Sequence, residues 1–385
     1  MISVLGALAG AAQTPAGPTK APAVALVDAG DAAQWQAWTK EAGWHILAPT
    51  VPAGANIDAR VEAIQKAVAE GTQNGSVDPA RVYLAGRGAA SAAVFYAVSR
   101  LPGLWAAAVA LGGSPQPAID SDRLYLANFT NVPVLWFSER PEDKAAAENL
   151  RSAGMDLEWR PAVEAKVGTV LEWLARHHRA EYPDTADCET DTAKFAGCYW
   201  IQMTKFDPGE QNDVLPSTLV RPPNRASLDL GGFGFKPDDP GPGVPITFLP
   251  DNYRGQLKLG DRLVALDGRP IANPRQYLDT MAQVTEERPA TVTVERGKQR
   301  IRIETKILFS KAVPRVTARV QGKFLPEEKE IQIISRSVTE MRVTIPAQWA
   351  PAMLNWNGVP LEKVEKAGCR VLRIDKELES AAPCP

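Results

Sequence analysis

The run Val82-Tyr83-Leu84-Ala85-Gly86-Arg87-Gly88-Ala89-Ala90 has the form of a Gly-x-Ser-x-Gly turn with glycine where the serine would stand. An apolar, β-branched run enters it and an Ala-rich helical stretch over 89–99 leaves it. In that strand–turn–helix context a strained backbone lifts a nucleophilic hydroxyl above the sheet for acyl transfer. Gly88 has no side chain to lift. Gly86, Arg87, Gly88, Ala89 and Ala90 therefore read as a degenerate elbow, and no catalytic residue is assigned. Ser91 follows shortly after Gly88, but a mid-helix serine normally faces solvent or bonds back to the preceding turn. His45 opens a strand beside Trp44, and His177 and His178 close a helix, where imidazolium complements the dipole and neighbouring side chains diverge. A working Ser/His/acid triad would need a substitute in every role.

The elements that must position such a turn are laid out between about residues 23 and 179. Strand candidates at 23–27, 45–48, 82–85, 106–111, 134–137 and 157–160 alternate with helical periodicity at 34–42, 57–72, 89–99, 144–153 and 163–178, which predicts a buried parallel sheet. The 57–72 helix sets Val61, Ile64 and Val68 on one face and Arg60, Glu62 and Lys66 on the other, and so reads as scaffold.

The 385 residues exceed one ordinary core, and 45% hydrophobic with 23% charged residues predicts two or three soluble domains. A net charge of -2 offers no basic field for nucleic acid, and no apolar stretch is long enough to span a bilayer. Residues 1–22 read as a leader: Met1 to Gln13 has the apolar core and small-residue exit of a signal peptide without its positive start, and a Pro/Gly/Ala/Thr stretch follows. Cys188, Cys198, Cys369 and Cys384 are even in number and locally spaced, which suits two loop-closing disulfides (188–198, 369–384) better than metal ligation, because no CxxC or histidine cluster accompanies them. The expectation is an exported protein, periplasmic or extracellular, with no metal and no cofactor.

Four stretches of the first domain resemble the α/β-hydrolase fold, in particular the small secreted esterases and dienelactone-hydrolase-like enzymes. They are 77–86 before the elbow, Ala107-Ala108-Val109-Ala110-Leu111-Gly112-Gly113 after its helix, Val132-Pro133-Val134-Leu135-Trp136-Phe137 as the next strand, and Trp173-Leu174-Ala175-Arg176-His177-His178 at the final helix. The resemblance covers about 160 residues and starts at the family's third strand. It implies a doubly wound parallel-sheet α/β domain over 23–182 whose catalytic positions are lost. The nucleophile position is Gly88. The acid turn is replaced by Ser138-Glu139-Arg140-Pro141-Glu142-Asp143, leaving Glu139 or Asp143 as a displaced acid. The histidine loop is replaced by Trp159-Arg160-Pro161-Ala162 running into the closing helix. Where family enzymes often carry His-Gly, this chain has Asp28-Ala29-Gly30, a carboxylate that would repel a developing oxyanion.

After Pro222-Pro223 the chain resembles PDZ domains. Gly232-Phe233-Gly234-Phe235 matches their carboxylate loop, and 257–271, with Leu257, Gly260, Asp261, Leu263 and Gly268, matches their most diagnostic stretch. A helix over 274–284 and a strand over 290–296 complete the order. The resemblance implies a small β-barrel over 222–310 that adds an extended or C-terminal peptide of another protein beside Gly232, Phe233, Gly234 and Phe235, with Leu278 and Met281 lining the side-chain pocket. Pro237 removes a ladder donor, and Asp238 and Asp239 place carboxylates where the peptide's own would arrive.

The remainder reads as β-rich, with a hairpin over 182–206 and strands at 315–320, 330–334, 340–345 and 352–356. The PDZ-like module is accordingly expected to interrupt a small all-β C-terminal domain made of 183–206 and 312–385. The expected function is an exported non-catalytic scaffold or binding protein of the pseudo-hydrolase kind. The alternatives are a serine-type carboxylic-ester hydrolase with a rebuilt site, and an adaptor in which only the PDZ-like groove acts.

Overall fold

The computed structural model describes residues 20–52, 55–209, 214–220, 226–236, 239–250, 252–309, 316–375 and 378–385. The chain divides into two compact units, Met1–Val220 with Arg315–Pro385, and Arg221–Pro314.

The first unit opens with β1 (Ala21–Leu26), α1 (Ala32–Thr39), β2 (His45–Leu47), α2 (Ile57–Gln73), β3 (Val77–Arg87), α3 (Ala90–Arg100), β4 (Ala107–Leu111), α4 (Gln116–Asp120), β5 (Val134–Ser138), α5 (Pro141–Ser152), β6 (Leu157–Pro161) and α6 (Val167–Ala175). The six strands form one parallel sheet in the order β2-β1-β3-β4-β5-β6. Both faces are covered. Val82 and Leu84 of β3 join Val61, Phe95 and Trp136 on one side, while Tyr83 and Ala85 join Trp35, Leu135 and Trp173 on the other. Continuous apolar strands follow from this double burial. The chain steps from β1 to β2 in one direction and then places β3 on the far side of β1, so the switch point of the sheet lies between the carboxyl ends of β1 and β3.

In this part the structure adds α4 and shifts several element ends. The first strand begins at Ala21, inside the expected leader, and Ala21 N–H bonds to the Ser76 carbonyl at 3.0 Å; residues 1–19 of that leader lie outside the described residues. The last helix of this part starts only at Val167, because a 3-10 turn over Ala162–Glu164 intervenes after Pro161.

Next come β7 (Thr185–Thr190), β8 (Gly197–Cys198) and β9 (Ile201–Phe206). The second unit then holds β10 (Ala226–Leu228), β11 (Val244–Pro245), β12 (Arg262–Leu266), β13 (Arg269–Pro270), α7 (Pro274–Ala282), β14 (Arg288–Arg296) and β15 (Gln299–Phe309). Its antiparallel sheet runs β10-β15-β14-β12-β11, with β13 on β12, around a core that includes Leu228, Val244, Leu263, Tyr277, Met281 and Val292.

The chain returns to the first unit with β16 (Ala318–Leu325), β17 (Glu330–Arg336), β18 (Val338–Ile345), β19 (Ala352–Trp356), β20 (Val359–Val364), β21 (Gly368–Asp375) and β22 (Leu378–Pro383). These make two five-stranded sheets, β20-β19-β17-β16-β7 and β22-β21-β18-β9-β8. Trp200, Trp349 and Trp356 lie in their shared core. The expected hairpin over 182–206 is reduced to the short β8–β9 pair, Gly197 opposite Gln202 and Cys198 opposite Ile201, while β7 pairs with β16 and β9 also with β18, in different sheets. Alternating patterning reports which residues face a core but not which strand lies alongside. Cys188–Cys198 joins β7 to β8, and Cys369–Cys384 joins β21 to the residue after β22. No helix among the described residues is long and apolar enough to cross a membrane.

Candidate functional site

In open parallel α/β sheets, ligands bind outside the carboxyl ends of the strands at the switch point. Here that place is built from the residues after β1 and β3. Gly86 ends the buried part of β3, and a Cβ there would lie 2.8 Å from both the Ala90 carbonyl oxygen and Val94 Cγ2. Glycine thus lets α3 close onto the strand. Gly88 has φ +55°, with nothing within 4 Å of an added Cβ. Gly88 thus combines a left-handed backbone with open room for a side chain. Its N–H bonds to the Leu111 carbonyl at 2.9 Å, and its own carbonyl takes the Ser91 N–H at 3.1 Å. Ala89 caps α3 without a side-chain acceptor, and Ala90 is the first residue of the helix. Arg87 is exposed and donates to Gln34 of α1.

The loop after β1 is turned to internal use. Asp28 accepts the Gly30 N–H at 2.9 Å, occupying a donor on the lip of the turn. Asp31 titrates above the ordinary carboxyl range because of its partial burial and the neighbouring Asp28 charge, partly offset by Arg87. Ser91 departs from the expectation for a mid-helix serine: it is fully buried, and its Oγ has no hydrogen-bond partner among the described residues.

The remaining candidates are elsewhere or engaged. Asp143 is buried, accepts from Ser138, and is gripped by Arg140, whose Nε lies 2.9 Å away. Glu139 is exposed just past β5. His45 pairs with Ala23, and Ala23 pairs with Val82, at the start of the sheet. His177 holds Nδ1 2.9 Å from the Trp173 carbonyl, and its own carbonyl accepts the Tyr83 hydroxyl at 3.1 Å. Arg179, the residue after His178, bonds through its N–H to the Ala80 carbonyl at 2.8 Å. With a rise of about 3.3 Å per residue, the strand from Val82 or Ala80 to Gly88 separates these histidines from the elbow by roughly 20–26 Å. All three lie toward the amino ends of the strands, and the elbow is at the carboxyl ends.

A groove of about 460 Å³ opens at the ends of β5 and β6, lined by Glu139, Arg140, Lys144, Trp159 and Val163 among others. Its lining comes from two segments, 138–144 and 159–163, which include the Ser138–Asp143 and Trp159–Ala162 stretches singled out in the sequence.

In the second unit, Gly231 and Gly232 have φ +79° and +78°, and Gly234 then makes an isolated antiparallel bridge with Phe248. Gly234 N–H bonds to the Phe248 carbonyl at 2.9 Å, and its carbonyl accepts the Thr247 N–H at 2.8 Å. A Cβ at Gly234 would stand 2.9 Å from Phe248 Cβ, so this close pairing requires glycine. The Phe235 ring meets Tyr277 of α7 edge-on at 5.7 Å. Leu278 of α7 is 43% exposed, whereas Met281 is 4% exposed within the core. Asp239 is engaged, accepting the Gly241 N–H at 2.9 Å and facing Arg262 Nη1 at 3.4 Å. Pro237 and Asp238 lie outside the described residues.

No family model matches the chain, and no curated protein matches it. Among solved structures it is similar to esterases. Esterase PE8 shares 16% identity over 42% of this chain and 94% of its own, with a TM-score of 0.32. A thermostable esterase shares 15% over 42% of this chain and 56% of its own, with a TM-score of 0.31. Two structures of Thermogutta terrifontis esterase 2 share 13–14% over 43% of this chain and 85–86% of their own, at 0.32.

Proposed function

We propose that this chain is an exported, non-catalytic binding protein in which a pseudo-hydrolase α/β domain carries a PDZ-like module for an extended or C-terminal peptide. The observation that supports the loss of catalysis is the pairing of a side-chain-free nucleophile position, Gly88, with histidines confined to the opposite end of the sheet. Acyl transfer through a serine needs nucleophile and base within hydrogen-bond reach. Ser91, the nearest hydroxyl along the chain, is buried and pairs with no base. The two disulfides fit export to an oxidising compartment.

The peptide half of the proposal rests on the Phe235–Tyr277 contact, which sets the Phe233–Phe235 segment against α7, and on the exposure of Leu278, the next residue of that helix. An added strand gains its ladder bonds there, and its side chains gain apolar contact from the helix.

Two measurements test the reading on the full chain. A fluorophosphonate probe and short-chain aryl esters are expected to give no labelling and no turnover, and stoichiometric labelling at Ser91 would instead establish the rebuilt esterase. A C-terminal peptide library is expected to yield ligands that weaken on amidation of their C-terminus and by about tenfold on Leu278→Asp. A library without ligands, or ligands indifferent to both changes, refutes the groove.

A further inference from the structure

The segments leading to and from the inserted 221–314 unit meet at one buried carboxylate. Glu189 of β7 is completely inaccessible to solvent. Its Oε1 accepts from the Ser217 hydroxyl at 2.6 Å and from the Thr317 hydroxyl, and its Oε2 accepts the Thr218 N–H and hydroxyl, both at 2.7 Å. Ser217 and Thr218 belong to the outgoing segment, 214–220; Thr317 directly precedes β16 on the incoming one. Four donors saturate the acceptor capacity of an ionised carboxylate, and such charge-assisted bonds are stronger than neutral ones.

The surroundings keep that carboxylate in place. Asn128 bonds the main chain of Glu189 on both sides, through Oδ1 at 2.7 Å and Nδ2 at 2.9 Å. Arg319, directly across the ladder from Glu189, spends its guanidinium on Asp187, at 2.6 and 2.9 Å, and on the Pro216 carbonyl at 2.7 Å. The outgoing segment is also stitched to the α/β part, where Leu126 N–H bonds to the Thr218 carbonyl at 3.0 Å and Val220 N–H to the Leu124 carbonyl at 2.8 Å.

We propose that Glu189 is a two-sided latch, whose carboxylate couples the outgoing and incoming segments so that loosening one loosens the other. The coupling follows from sharing. Ser217 and Thr317 converge on one oxygen and Thr218 holds the other, so losing the Thr317 donor leaves a buried charge under-satisfied, and the carboxylate must shift away from its Thr218 geometry.

Hydrogen exchange of the full chain, read by mass spectrometry on peptides covering 214–220 and 316–325, tests this. Thr317→Val alters only the incoming side, yet the Thr218 and Val220 amides on the outgoing side are expected to exchange about tenfold faster. Ser217→Ala is expected to speed exchange at the start of β16 in the same way. Glu189→Ala is expected to expose both segments together, with peptides from β14 and β15 unchanged. Acceleration confined to the segment carrying each substitution overturns the latch, because a local structural role moves only its own strand. Should Glu189→Ala fail to fold, the two single-donor variants decide the matter alone.

Discussion

At the scale of single residues, the turn after β3 is held by close backbone contacts. A Cβ at Gly113, at φ +66°, would fall 2.0 Å from the Gly88 carbonyl oxygen, so the turn after β4 stacks backbone to backbone on the turn after β3. Gly113→Ala must push the two turns apart, and urea denaturation is expected to show a loss of roughly 2–4 kcal/mol. Gly88→Ser makes the opposite case, since open space awaits its side chain. The left-handed backbone costs an L-residue about 1 kcal/mol, so the variant is expected to fold with a slightly lowered Tm. It is also expected to hydrolyse no aryl ester, because restoring the hydroxyl does not bring a histidine to the carboxyl ends of the strands. Turnover by Gly88→Ser would place a base near the elbow and contradict the arrangement described above.

At the scale of elements, charge organises the sheet containing β9, β18 and β21. Glu340 of β18 is joined by Lys205 of β9 at 2.8 Å, Thr204 at 2.9 Å and Arg373 of β21 at 2.9 Å. The Lys205 ammonium, followed by Thr204 and Arg373, lowers its carboxyl to about 2 from the usual 4.5, against an opposing contribution from desolvation. A depressed native pKa stabilises the fold above the unfolded value, and that contribution is lost as pH falls from about 4.5 toward 2. Thermal melts between pH 5 and 2 are therefore expected to fall more steeply for the wild type than for Glu340→Gln, with the variant less stable at pH 7. Parallel curves for the two proteins would show that the cluster contributes nothing to acid sensitivity. Both neighbours of β18 reach this cluster, although they stand far apart in the chain.

At the scale of the whole molecule, the disulfides are covalent ties within the β-rich part of the first unit. Cys188–Cys198 connects strands of the two different sheets across a sequence separation of 10, and Cys369–Cys384 closes a separation of 15 at the end of the chain. Each is expected to contribute about 2–4 kcal/mol through restriction of the unfolded chain. Non-reducing peptide mapping should recover these two pairs, and the Cys188→Ser/Cys198→Ser double variant should unfold at lower denaturant. Four free thiols in protein recovered from an oxidising compartment would remove the support for export. The inserted unit has its own core, so its loss is expected to leave these pairings intact.

Much of this architecture was legible in the chain. The alternation of apolar strands and amphipathic helices fixed the α/β order, because burial on both faces demands continuous apolar strands and burial on one face demands helical spacing. The glycine at 88 was legible too, since an absent side chain is a matter of residue identity. What the sequence left open depended on partners distant along the chain. The pairing of β7 with β16 and of β9 with β18, beyond the short β8–β9 hairpin, is chosen by a core assembled from segments on either side of the insertion. The placing of every histidine at the far end of the sheet depends on strand direction and register. The Glu189 carboxylate gave no local signal, because its donors come from 217, 218 and 317 and meet only when the sheet has formed. Short-range stereochemistry is written within a few residues, whereas the satisfaction of a buried charge is decided by which surfaces fold against it.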